Sequence, residues 1–273
     1  MYFQLFKPSA FLSQFVSFYW VMETCSSLFD NSPANRVVPN GSVNLFFHYG
    51  DVLKYRNQST AESLHYQSMI SGQVTEYFEV YHTGQSNFIS VVFRPSGAAM
   101  FFDIPLNDLL NQHIDINALD SKNAKYICEQ LHDTNDPLAK VKIIEEYLIR
   151  NYSEKNSYKN LRISSAVQKA IQTGGNISID KLAQVSCLSH KQFDRIFTEL
   201  VGVHPKQFTK ITRLQNVFRL LSEVDNQNLL DVAFLAGYYD QAHFSKEFKQ
   251  FTGYTPKQCL KQCKPTSDMY LEL

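Results

Sequence analysis

The chain has 273 residues, 44% of them apolar, and its 26 lysines and arginines are balanced by 26 aspartates and glutamates. That is apolar material enough for two cores, and the overall balance by itself names no polyanionic partner. No apolar run approaches the roughly 20 residues needed to span a bilayer, which excludes a helical membrane anchor within this sequence.

The first ten residues, MYFQLFKPSA, lack the basic patch, apolar stretch and small-residue cleavage site of a secretory signal, so a cytoplasmic location is expected. The cysteines fit that expectation. There are five, scattered at positions 25, 128, 187, 259 and 263, an odd count that points to reduced thiols rather than a disulfide framework.

Residues 2 to 102 read as strand after strand. FVSFYWV, NRVV, SVNLFFHYG, MISGQVTEYFEVYHTG and SNFISVVFRP are aromatic and β-branched, and Pro, Asn, Gly and Ser punctuate them. In NFISVVF, Ile89, Val91 and Phe93 alternate with Phe88, Ser90 and Val92, which gives one fully apolar face and one mixed face. A barrel or sandwich is expected. Beyond residue 103 the period changes: Ala124, Ile127 and Leu131 suggest one helix, and Asp136-Pro137 opens another whose stripe is Leu138, Val141, Ile144 and Leu148. These helices complete a regulatory or sensor domain over residues 1–150. The polar run RNYSEKNSYKN marks a linker at 151–160. Everything after it reads helical, so the fold class is α+β with an all-α domain over 161–265.

Charge is unevenly shared between the halves. Residues 160–273 hold 14 basic against 10 acidic side chains, and residues 1–159 hold 12 against 16. A modest excess of this kind is weak evidence for nucleic acid, since exposed lysines mostly keep a surface solvated.

The carboxyl-terminal segment repeats itself. Ala183 falls on Ala233 at an offset of 50, and past one inserted residue the offset becomes 51, pairing Phe193 with Phe244, Phe197 with Phe248, Gly202 with Gly253 and Pro205 with Pro256. Each unit, about 179–202 and 229–253, has the layout of a helix-turn-helix. A short helix carries a small alanine, a tight turn follows at 186–188 or 237–239, and Ser189 or Asp240 caps a second helix that Gly202 or Gly253 ends. The phenylalanine face is core. Helical arithmetic then puts His190, Lys191, Asp194, Arg195 and Thr198 on the free face of the first unit, and Gln241, Ala242, Ser245, Lys246 and Lys249 on that of the second. Arg or Lys can bond guanine, Gln adenine, and Ala can pack on the thymine methyl; Asp194 can accept from cytosine or hold Arg195 in place. Taken singly, these positions would also suit a merely solvated surface.

Residues 160–263 closely resemble the paired helix-turn-helix domain of AraC/XylS-type bacterial transcription regulators, above all through DVAFLAGYYDQAHFSKEFKQFTGYTP. The resemblance implies that the helix over 206–223 joins the two units and that both second helices lie in successive major grooves of double-stranded DNA. It puts base reading on Lys191, Asp194 and Arg195, and on Gln241, Ala242 and Lys246. The amino-terminal half is similar to a subset of these regulators through VVPNGSVNLFFHYG, GQVTEYFEV and ISVVFRPSGAAMFFDIPLNDLLNQHIDINAL, with Asn40 where relatives usually carry Asp. That likeness implies a cupin- or jelly-roll-type β-barrel-like domain sensing a small-molecule effector, helices that form a homodimer, and, for an activator, RNA polymerase as a partner.

No catalytic residue, metal or cofactor is expected. His48, His65 and His82 stand singly, without the His-x-His of a cupin metal site, and Cys259 with Cys263 makes a poor zinc site. Arg94, in FRPSG, either pairs with an anionic effector or closes a strand end on local carbonyls. The alternative function is a barrel enzyme or small-molecule carrier whose helical tail docks a protein partner.

Overall fold

A computed structural model describes residues 2–24, 34–57, 62–119, 124–223 and 229–262. Its strands are β1 (Tyr2–Phe6), β2 (Val16–Glu23), β3 (Asn35–Val37), β4 (Asn44–His48), β5 (Lys54–Asn57), β6 (Ser63–Leu64), β7 (Ser68–Ser71), β8 (Phe78–Tyr81), β9 (Phe88–Phe93) and β10 (His113–Asp115). They form a six-stranded sheet, β1-β2-β9-β4-β7-β10, and a four-stranded sheet, β3-β8-β5-β6. Every pairing is antiparallel. Both sheets keep open edges among the described residues, so the domain is a two-layer sandwich and only loosely a barrel.

The face expected to be mixed on β9 is buried like the other, and all six residues from Phe88 to Phe93 are inaccessible. The reason is that β9 lies in the middle of its sheet with a layer on each side. Ile89, Val91 and Phe93 share one buried apolar cluster with Ile127, Leu131, Ile144 and Leu148 of two helices, α1 (Ala124–Asp133) and α2 (Pro137–Asn151). Phe88, with Met22, Trp20 and Phe46, packs against Tyr55, Phe78 and Val80 of the smaller sheet. Helix α2 begins as the sequence indicates: the Asp136 carboxylate accepts from the Leu138 and Ala139 amides, and Pro137 occupies the first turn. Leu138, the first member of the expected stripe, stays half exposed at the helix end.

Beyond α2 come α3 (Ser157–Gln172), α4 (Ile179–Val185), α5 (His190–Val201), α6 (Pro205–Glu223), α7 (Leu229–Leu235), α8 (Gln241–Thr252) and α9 (Pro256–Gln262). The segment 151–160 is less of a tether than its polarity suggests. Asn151 ends α2, Glu154–Asn156 form a 3-10 turn, and α3 opens at Ser157. Its polar groups are used in packing: the Ser153 amide donates to the Met100 carbonyl at 2.9 Å, and Lys155 Nζ meets Asp103 at 2.6 Å. One apolar cluster accordingly runs unbroken from the sandwich through Ile163 and Val167 of α3 into Phe193, Phe197 and Phe208. The second helix-turn-helix unit has its own cluster, of Leu214, Val232, Phe244, Phe248 and Phe251, and that cluster takes in Val38 of the amino-terminal domain.

Candidate nucleic-acid interface

Helices α5 and α8 begin and end by the same local chemistry. The Ser189 hydroxyl accepts from the Gln192 amide, and the Asp240 carboxylate accepts from the His243 amide at 2.7 Å. At the other end Gly202 and Gly253 adopt left-handed φ values of 92° and 73°, and their amides return to Thr198 and Lys249. The turns before the two helices differ. Gly237 takes the left-handed conformation in the second unit, whereas in the first Cys187 does so at φ 52°, with Arg162 donating to the Ser186 and Cys187 carbonyls.

With the ends set, one face of each helix is core and the other is open. Phe193, Ile196, Phe197, Leu200 and Val201 of α5 are buried, as are Phe244, Glu247, Phe248, Phe251 and Thr252 of α8. The candidate contacts lie on the opposite sides. His190, Lys191, Arg195, Gln241, Ala242, Lys246 and Lys249 are exposed, and Asp194, Thr198 and Ser245 are partly so.

Asp194 does not hold Arg195. Its carboxylate is 3.5 Å from His204 Nδ1, while Arg195 Nη1 is 3.4 Å from Glu199 one turn on, and His190 is 3.7 Å from Asp180. Pairs this exposed are each worth about 0–1 kcal/mol, so they leave the side chains free to exchange partners. Asn107 and Asp108 of the amino-terminal domain line an open groove together with Arg195, Thr198 and His204.

Glu247 escaped the sequence reading, although the repeat pairs it with the core residue Ile196. It is 3% exposed, accepts from the Tyr238 hydroxyl at 2.9 Å, and has Lys210 Nζ at 3.2 Å and Arg213 Nη1 at 3.7 Å. Burial and this carboxylate push the Tyr238 phenol above its ordinary value. Because Lys210 and Arg213 belong to α6, the carboxylate fastens α8 to the connecting helix.

Elsewhere, Arg94 is exposed and donates from Nε to the Ser13 carbonyl at 2.8 Å, the strand-closing use of that side chain. Cys259 is buried within the second unit, and Cys25 and Cys263 lie outside the described residues. Two of the three histidines expected to stand singly, His48 and His65, do not. His48, His65 and His113 converge between the sheets, His48 Nε2 lying 3.4 Å from His65 Nδ1 and the His65 and His113 rings 5.5 Å apart. Among the described residues no group of three His, Cys, Asp or Glu is arranged to hold a metal ion, and no helix is long and apolar enough to cross a membrane.

Residues 182–262 match the family model described as a helix-turn-helix domain, a span that takes in both helix pairs. They form an AraC-type helix-turn-helix domain. Ahead of the AraC-type domain, residues 4–115 match a domain of unknown function (DUF6597). An uncharacterized HTH-type transcriptional regulator of Haemophilus influenzae is 30% identical over 135 residues, 46% of this chain and 44% of its own. The arabinose operon regulatory protein of Escherichia coli is 24% identical over 133 residues, 46% of this chain and 45% of its own. The chain thus spans less than half the length of these curated relatives. Among solved structures, ToxT of Vibrio cholerae aligns at a TM-score of 0.45 with 12% identity, covering 89% of this chain and 97% of that one. The DNA-binding domain of AdpA in complex with a target DNA aligns at 0.34 with 23% identity, covering 37% of this chain and 95% of that one.

Proposed function

We propose that the chain is a sequence-specific DNA-binding transcription regulator that acts in the cytoplasm, with α5 and α8 entering successive major grooves on one side of the duplex. The observation that carries this reading is the matched pair of helices, each with its aromatic side in a core and a polar, partly basic side open to solvent. Lys191, Asp194 and Arg195 read base edges in one groove, and Gln241, Ala242 and Lys246 do so in the next. His190, Ser245 and Lys249 border the same faces and reach edges or phosphates. Affinity comes from phosphate neutralisation and choice of site from the base contacts. The sandwich domain modulates binding, through a small-molecule effector or by pairing with a second copy, and an activator would add RNA polymerase as a partner. Relatives named as HTH-type transcriptional regulators favour this over a barrel enzyme with a protein-docking tail.

Because both helices ride on one chain, a footprint of the full protein on its selected duplex is expected to show two protected segments roughly 10 bp apart. Protection confined to one groove segment would count against the reading. Arg195→Ala is expected to cost about 1–3 kcal/mol and to relax preference at one base pair, measured by titration against a panel of single-substituted duplexes. A loss equal on every duplex would make Arg195 a phosphate contact instead.

A further inference from the structure

The amino-terminal domain touches the two units at equivalent points. Val201 and Thr252 occupy the same place in the repeat, the last helical residue before the glycine cap, and the carbonyl of each accepts a side-chain donor from the sandwich. Gln73 Nε2 donates to the Val201 carbonyl at 2.6 Å, and Arg36 Nη1 donates to the Thr252 carbonyl at 3.1 Å. The caps themselves are pressed against the same domain. A Cβ added at Gly202 would lie 3.1 Å from the Leu106 carbonyl oxygen, and one at Gly253 would collide with the Tyr77 ring. Carbonyls at a helix end lack intrahelical partners and carry partial negative charge, so an amide and a guanidinium are well suited to hold them.

Both grips are rigid at their base. Gln73 is buried, two residues past the end of β7. The Arg36 guanidinium lies between the Tyr77 and Tyr254 rings, 4.1 and 4.0 Å from their centroids, and its Nη2 bonds Glu79 at 2.7 Å. Arg36 and Arg56 hold the Glu79 carboxyl down to about 2, so this anchor stays charged at any ordinary pH. The two grips also come from different layers, since β7 belongs to the six-stranded sheet and β3, which bears Arg36, to the four-stranded one.

Inside the AraC-type domain the units have separate cores, joined by α6 and by Asn176, whose Nδ2 donates to the Ala236 carbonyl. Helix α6 leaves the first core at Phe208 and enters the second at Ile211. Around that junction the Thr209 and Thr212 hydroxyls bond back to the Lys206 and Phe208 carbonyls, a pattern that favours bending. No single core therefore fixes the separation of α5 and α8.

We propose that the amino-terminal sandwich is a brace that sets this separation, with Gln73 and Arg36 as its two positioning residues, so that the protein accepts one spacing of its two DNA segments. The proposal rests on the reading that α5 and α8 both enter DNA. A change in the distance between the two sheets would then be transmitted to the pair of recognition helices through these side chains.

The test uses the full chain and duplexes carrying its selected site, with the two contacted segments moved together or apart by one base pair. Wild type is expected to bind the shifted duplexes at least about tenfold more weakly than the unshifted one, about 1.4 kcal/mol or more. In the R36A/Q73A double variant that ratio should fall to about threefold or less, with each single variant in between. A variant that was merely less stable would lose active protein equally on every duplex, so the ratio reports positioning and not folding. An unchanged ratio in the double variant overturns the brace while leaving the DNA-binding reading intact. If wild type protects only one segment of any duplex, both fall together.

Discussion

Glu247→Ala is expected to destabilise the second unit by about 3 kcal/mol, the scale for removing one partner of a buried ion pair. The side chain is 3% exposed, so alanine leaves a buried gap in which the Tyr238 hydroxyl loses its acceptor, and Lys210 and Arg213 lose their counter-charge. Lys210 and Arg213 are themselves partly accessible, which keeps the figure at the lower end of that scale. Glu247→Gln keeps an acceptor for Tyr238 but not the charge, and should cost roughly half as much. Denaturant unfolding of the full chain, followed by circular dichroism, measures the loss. On DNA the effect should be local: protection by α8 weakens while the segment read by α5 persists. Unfolding indistinguishable from wild type would mean that the carboxylate does not fasten α8 to α6.

The carboxyl-terminal domain was legible because its determinants are local. Caps, turns and the phenylalanine period each act over three to seven residues, and the duplication prints them twice, so Ser189, Asp240, Gly202 and Gly253 all do what their residue types demand. Glu247 was missed for the opposite reason. Phe244, Phe248 and Phe251 define the apolar stripe without it, and a carboxylate on that stripe makes sense only once the crossing of α6 brings Lys210 and Arg213 to it.

The same limit explains the contacts between domains. Nothing in the pattern around Arg36 or Gln73 marks a partner more than a hundred residues away, and the polar residues of 151–160 look like a tether until Asp103 and Met100 are seen beside them. In the sandwich, alternation identified strands but not their order. Whether β9 had one covered face or two depended on the layers that pack on its sheet, the α1 and α2 helices on one side and the four-stranded sheet on the other. His48, His65 and His113 were likewise unreadable as a group, since they come from β4, the segment after β6, and β10.

That group makes the chain sensitive to acid. Burial holds His48 and His113 down at about 4 and His65 well below its ordinary value, because an imidazolium between two sheets would lose its water. Among the described residues their rings touch Phe46, Phe88, Tyr55, Phe78 and one another, none of which can offset a positive charge by ion pairing. An unfolded chain binds protons at these sites from about pH 6.5 downward, whereas the folded chain does not until about pH 4. Stability is therefore complete above the unfolded value and is lost progressively as the pH falls through that window. At pH 5 the loss is about 2 kcal/mol for each of His48 and His113, and about 4 kcal/mol for the two together. Denaturant midpoints at pH 7.5 and 5.0 measure it. Glu79, held down to about 2, stays ionised throughout and contributes nothing to the difference. Other carboxylates begin to titrate near pH 5, so the decisive comparison is with His48→Phe, which keeps a ring against Phe46 and Phe88 while removing one proton site. That variant should lose about 2 kcal/mol less than wild type between the two pH values. Equal losses in the two proteins would mean that water reaches His48 and that the space between the sheets is open rather than dry.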